Sequence, residues 1–208
     1  MSSSAGPAPP IPPKEDVAPL EKKSIKPYLM FCILSCTLTA FSFGFHSGVI
    51  NQPREAMSHC AEISENCIPM NDLEWGIFVS LFVVGGIFGG ASGGTFATRL
   101  GRKSTLFCNN LLFAFGTALI FFGSDFYTLS TGRLLIGFAA GIGTVVVPLY
   151  IAELAPLNQR GSLGSLNQLS IVCGVLISVI IGIPLSVPDL WRWLFGFALG
   201  MARRVPRL

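Results

Sequence analysis

Trp75-Gly-Ile-Phe-Val-Ser-Leu-Phe-Val-Val-Gly-Gly-Ile-Phe-Gly-Gly-Ala-Ser-Gly-Gly-Thr-Phe-Ala-Thr98 contains no Asp, Glu, Lys or Arg. A helix needs roughly 20 predominantly apolar residues to cross the hydrocarbon core of a bilayer, and this run supplies them. Four further stretches are equally free of charge: Pro27 to Pro53, Ser104 to Ser124, Leu134 to Ala152 and Gly161 to Pro188. Across the chain 51% of residues are hydrophobic and 12% charged, about half the roughly 25% of a soluble domain. So little polar surface cannot cover five apolar helices, and the composition specifies an all-α membrane protein. Backbone groups in lipid must be satisfied within the segment, and period-two alternation is absent, which excludes a β-barrel. The expected spans are Tyr28–Ile50, Trp75–Ala97, Ser104–Gly123, Phe126–Tyr150 and Leu163–Ile183.

The flanks set the orientation. Residues 1–26 are rich in Pro, Ser and Ala and then charged, which reads as a disordered tail. The tail carries Lys14, Lys22, Lys23 and Lys26, the second-to-third connection Arg99, Arg102 and Lys103, and the fourth-to-fifth Arg160. The first outer loop sets Arg54 against Glu55, Glu62, Glu65, Asp72 and Glu74. The positive-inside rule places the N-terminus in the cytosol and the acidic loop outside. The first span is too long for a signal peptide and lacks a small-residue cleavage pattern. The net charge of +3 is modest and sits at segment ends, without the basic–aromatic interleaving of a nucleic-acid surface. A sixth apolar segment, Leu190 to Ala202, contains Arg192. At about 1.5 Å per residue it reaches only about 20 Å, so a truncated sixth helix is expected, followed by an atypical tail over 203–208.

Gly85, Gly86, Gly89, Gly90, Gly93 and Gly94 repeat at four-residue spacing, as do Gly137 and Gly141. Such faces let helix backbones approach closely and indicate a tight bundle. Gly44 to Pro53 at the end of the first span is echoed weakly by Gly141 to Pro148 in the fourth, the offset expected of a three-plus-three transporter repeat.

Chemistry-bearing residues are few. Arg99-Leu-Gly101-Arg102-Lys103 is a tight basic turn, reversed at Gly101. Glu153 stands alone among acids between Asp125 and Asp189, within reach of Arg160 or of Arg99 and Arg102. Exposed pairs of this kind contribute about 0–1 kcal/mol each, which suits a conformational latch. Cys60 and Cys67 lie in the outer loop, where a disulfide and two free thiols are about equally supported. No metal-ligand spacing and no nucleophile–base motif is present, so no cofactor and no enzymatic activity is expected.

Taken in order, the Arg99–Lys103 turn, Gly132-Arg133, Pro148–Glu153 with Arg160-Gly161, and Gln168-Leu169 resemble the sugar porter family of the major facilitator superfamily. Gly44-Phe-His-Ser-Gly-Val-Ile-Asn51 is closest to its glucose-facilitator branch. The resemblance implies a carrier of two six-helix halves binding hexose between them, of which this chain corresponds to the N-terminal half. It implies that Gln168 hydrogen-bonds the sugar, an amide offering two donors and an acceptor to hydroxyl pairs. It implies that Arg99, Arg102, Glu153 and Arg160 form a cytosolic charge network, with Thr98 standing where an acid or amide usually precedes Arg99. His46 departs from the pattern: proton-coupled relatives place an Asp there and uniporters usually an Asn. A proton-sensitive step and a neutral His making one hydrogen bond both remain open, as does energy coupling.

Two functions follow as expectations: hexose transport by alternating access, and a non-transporting sugar sensor or regulatory fragment. The expected partners are a hexose, the lipid bilayer and a complementary C-terminal half or full-length transporter, with no nucleic acid. The expected location is the plasma membrane rather than a vacuolar or other internal one.

Overall fold

The computed structural model describes residues 27–58, 68–187 and 190–202. The tail over 1–26, Cys60 and Cys67 with their proposed disulfide, and the segment 203–208 lie outside the described residues. Within them are seven helices and no strand: α1 (Pro27–Gly48), α2 (Arg54–Ser58), α3 (Asp72–Arg99), α4 (Arg102–Phe122), α5 (Phe126–Leu154), α6 (Arg160–Leu185) and α7 (Trp191–Ala202). Among the described residues α3, α4, α5 and α6 are long and apolar enough to cross a membrane. The 22 residues of α1 give about 33 Å of helix; the 12 of α7 give about 18 Å. The short α2, within the acidic loop, has no counterpart in the sequence reading, because five polar-flanked residues carry no apolar period.

Local chemistry explains the boundaries. At the start of α3, Asn71 and Glu74 form a reciprocal capping box, the Asn71 N–H donating to Glu74 Oε2 at 2.8 Å. The reversal into α4 is made by Gly101 at φ 83°, the one positive φ among the described residues. Thr105 fastens that turn by donating its hydroxyl to the carbonyls of Phe96 (3.0 Å) and Gly101 (2.8 Å).

The middle of the bundle is α5. Over half of its apolar stretch is buried (56%), against 22% of α3 and 17% of α6, and it packs on α3, α4 and α1 while α1 packs on α6 and α7 on α4. Glycine makes these approaches possible. A Cβ at Gly85 or Gly89 of α3 would meet the carbonyl oxygens of Leu134 or Phe138, and one at Gly137 or Gly141 of α5 those of Phe82 or Gly86. The α1–α6 crossing repeats the device, with Gly44 against Ile171 and Gly174 against Phe41. The two glycine seams, α3 with α5 and α1 with α6, are thus built in the same way.

The apolar core divides in two. Toward the acidic-loop end, Phe45, Phe78, Phe113, Ile136, Trp191 and Phe195 cluster together. Toward the Gly101-turn end, Ile33, Leu106, Ile142, Val146 and Leu163 form a second cluster. The polar residues of the candidate site lie beside the second cluster, with Phe43 bordering the first.

Candidate functional site

Between α1, α5 and α6 opens a cleft of about 260 Å³, lined by Thr39, Ala40, Phe43, Gly143, Thr144, Asn167, Gln168 and Ile171. Gln168 is exposed, Asn167 half-buried, and neither amide is hydrogen-bonded within the described chain. Pro148 lies inside α5; having no N–H, it leaves the carbonyl of Thr144 without its helical donor. The cleft therefore combines two amides, two hydroxyls and a spare carbonyl with the apolar faces of Phe43 and Ile171. Hydroxyl-bearing edges and C–H faces of one ligand are what such a lining can match. Of these residues only Gln168 is singled out by sequence reasoning; Thr39, Thr144 and Asn167 join it through folding.

His46 is placed elsewhere and does not line the cleft. It lies on α1 two turns beyond Thr39, and the two form parallel links to α4. Thr39 donates to Asn110 Oδ1 at 3.3 Å, and His46 Nε2 lies 3.3 Å from Thr117 Oγ1. The imidazole stacks on Phe113, ring centroids 5.6 Å apart. Arg133 Nη1 donates to the His46 carbonyl at 3.1 Å. That carbonyl is in the last turn of α1, where the helix has no donor left for it. The Arg133 guanidinium is caged by Phe78, Phe82 and Phe195 at 5.3, 5.9 and 5.8 Å, and its side chain is 1% exposed. Arg133 thus joins α1, α3, α5 and α7, a role that the Gly132-Arg133 pair in the sequence does not disclose.

At the turn end Arg102 grips Glu153 through Nε (3.1 Å) and Nη2 (2.8 Å), both on Oε1. Its Nη1 also donates to the Ala97 carbonyl at 3.4 Å. Arg99 and Arg160 are exposed and make no ion pair among the described residues. Thr98 turns its hydroxyl back on its own helix, to Gly94 and Thr95 carbonyls. The Arg102 and Glu153 side chains are 35% and 42% exposed. Glu153→Gln is therefore expected to change stability by less than about 1 kcal/mol. Thermal unfolding of both proteins at low salt and at 1 M NaCl checks this: the small difference should vanish at high salt, where the Debye length falls to about 3 Å.

The sequence model described as "Sugar (and other) transporter" matches residues 30–204. The chain belongs to the sugar transporter family. It is 37% identical over 183 residues to "Facilitated glucose transporter protein 1" of Caenorhabditis elegans, covering 82% of this chain and 36% of that protein. It is 38% identical over 189 residues to "Plastidic glucose transporter 4" of Arabidopsis thaliana, covering 89% and 34%. This sugar transporter chain thus spans about a third of the length of those curated relatives. The partially occluded inward-open xylose transporter XylE from E. coli superposes with a TM-score of 0.75 at 25% identity, covering 86% of this chain and 48% of that one. The inward-open form gives 0.72 at 26%, covering 86% and 46%. Among these sugar transporters the superposition is with one half of the solved structure, the share that α1 to α7 occupies.

Proposed function

We propose that this chain forms the N-terminal half of a hexose carrier that works by alternating access, and that its cleft is one wall of the sugar site. The observation that carries the reading is Gln168: an exposed amide, unpaired among the described residues, beside Asn167, Thr39 and Thr144. In hydrocarbon the two amides would each lack a partner, so they suit a water-filled cavity that admits a polyol. Within this proposal α1, α3, α4, α5 and α6 are the five complete spans and α7 an incomplete sixth. The N-terminus and the Arg102–Glu153 pair face the cytosol, in the plasma membrane. Arg99 and Arg160 stand ready to complete the charge network with the second half.

A second reading has its own support. The cleft is walled by α1, α5 and α6 alone, so in this chain a hexose would be hydrogen-bonded on one side. That geometry favours a sugar sensor or a regulatory fragment acting on a full-length carrier.

Labelled hexose uptake into cells without hexose carriers tests both. Uptake above the empty-vector level, reduced at least about tenfold in Gln168→Ala, supports the carrier. Undiminished uptake in that variant overturns the assignment of the cleft. An inserted chain that binds hexose through Gln168 without uptake supports the second reading.

A further inference from the structure

The cleft beside Gln168 carries hydrogen-bonding groups of two unequal kinds. Both hydroxyls of its lining are committed inside the protein as donors. Thr39 Oγ1 donates to Asn110 Oδ1 at 3.3 Å, and Thr144 Oγ1 to the Gly141 carbonyl at 2.7 Å. A hydroxyl has one proton and two lone pairs, so toward a ligand each can only accept. The backbone N–H groups of the lining belong to α1, α5 and α6, where they bond within their own helices. The donors left to the cleft are the side-chain amides of Asn167 and Gln168, both on α6.

The α5 wall is the opposite. Thr144 is exposed, as is Pro148 one turn further on. Pro148 has no N–H to give the Thr144 carbonyl, yet α5 runs on to Leu154. No side chain among the described residues donates to that carbonyl either. Thr144 therefore presents two acceptors, its carbonyl and hydroxyl oxygens, and no donor. A carbonyl without its helical donor is tolerated at membrane depth where it lines a wet cavity or is covered by protein.

The geometry points to Pro148 as a specificity-determining residue of the cleft. By withholding its N–H it makes Thr144 an acceptor-only wall, against which a ligand hydroxyl must sit as the donor. In the sugar-site reading proposed above, on which this assignment rests, the opposite edge of the ligand accepts from the Asn167 and Gln168 amides. The α5 wall thus selects by what a ligand group donates. Fluorine is close in size to a hydroxyl but has no proton to give, so it is accommodated against α6 and rejected against α5. An ether or carbonyl oxygen is rejected there for the same reason.

The test is equilibrium binding of glucose, and of its single-position deoxy and deoxyfluoro analogues, to the whole chain in nanodiscs. At one ring position the deoxy and fluoro analogues should both bind about fivefold more weakly than glucose; at another only the deoxy analogue should. Pro148→Ala supplies the missing N–H within a good helix former. It should weaken glucose about fivefold and abolish the penalty at the first position alone, whereas a merely structural proline would move every analogue alike. Pro184→Ala, at the other proline inside α6 and about 24 Å along it from Gln168, should change nothing. A second readout leaves the proline in place. With carbon-13 in the threonine carbonyls, glucose should shift one infrared carbonyl band downward, and Thr144→Val should lack that band. Fluorine tolerated at every position, a uniform effect of Pro148→Ala, or an unshifted carbonyl band overturns the assignment, and the cleft reading survives if Gln168→Ala still weakens glucose. Glucose binding that is absent, or indifferent to Gln168→Ala, overturns the cleft reading and the assignment with it.

Discussion

Gly89→Ala is expected to destabilise the bundle by about 2–3 kcal/mol, whereas Gly94→Ala, five residues along the same helix, leaves it unchanged or firmer. At Gly89 the new methyl meets the backbone of Phe138, 2.8 Å from its carbonyl carbon and 3.0 Å from its Cα. A side chain could rotate away; a backbone in the most buried helix cannot, and overpacking of this kind costs about 1–3 kcal/mol. At Gly94 nothing lies within 4 Å, and alanine's better helix propensity contributes up to about 1 kcal/mol. For a chain of this size the gap corresponds to about 6–12 °C in melting temperature. Thermal unfolding of both variants in detergent, followed by fluorescence-detected size exclusion, measures it directly. Equal melting temperatures would mean that α3 and α5 do not cross at this seam.

The second large effect concerns Arg133. Arg133→Ala is expected to lower stability by about 3–4 kcal/mol: it empties a caged site and strips the His46 carbonyl of a charged donor. Arg133→Met should stay within about 1 kcal/mol of the parent, because it refills the cage while removing a charge that is costly to bury. The guanidinium's Nε and Nη2 have no partner among the described residues, so the buried charge is only partly compensated. An intramembrane charge retained at such a cost is a functional candidate; under the carrier reading proposed above, the Met variant should fold normally yet take up less hexose than the parent. The comparison needs melting temperatures and uptake on the same preparations. Equal stability of the Ala and Met variants would show that the cage is not an organising contact.

These two sites also mark how far the sequence can be read. The spans were legible because charge is excluded from hydrocarbon, and the runs at Trp75–Thr98 or Ser104–Ser124 admit no other reading. Helix ends extend past those runs, to Arg99 or Leu154, because capping residues and basic turns continue the helix into the interface. The glycine repeat announced a close crossing but not its face. Gly85 and Gly89 share their four-residue spacing with Gly86, Gly90 and Gly94, and only the position of α5 decides which row is in contact. Gln168 stood out as an amide in an apolar segment. Thr39 and Thr144 did not, since membrane hydroxyls commonly bond back to their own helix, as Thr144 does to the Gly141 carbonyl at 2.7 Å. Asn109 and Asn110 did leave a signal, adjacent amides within a charge-free run, but only the fold shows that Thr39 of α1 reaches Asn110. The cage of Arg133 left none, because its partners come from positions as distant as Phe78 and Phe195.

The glycine-seamed pairing of α1 with α6 and of α3 with α5 has a consequence for biosynthesis. Gly89 and its partner Phe138 leave the ribosome about 50 residues apart, but Gly44 and Ile171 are separated by about 130. At about 5–20 residues per second, α1 waits roughly 6–26 s for the helix that covers its glycine face, while α3 waits about two-fifths as long. Through that interval Gly44 and Gly48 stand uncovered in the translocon or the bilayer. The glycine face of α1 is therefore sealed later than that of α3, and a delay in synthesis between α5 and α6 would leave it open to quality-control proteolysis.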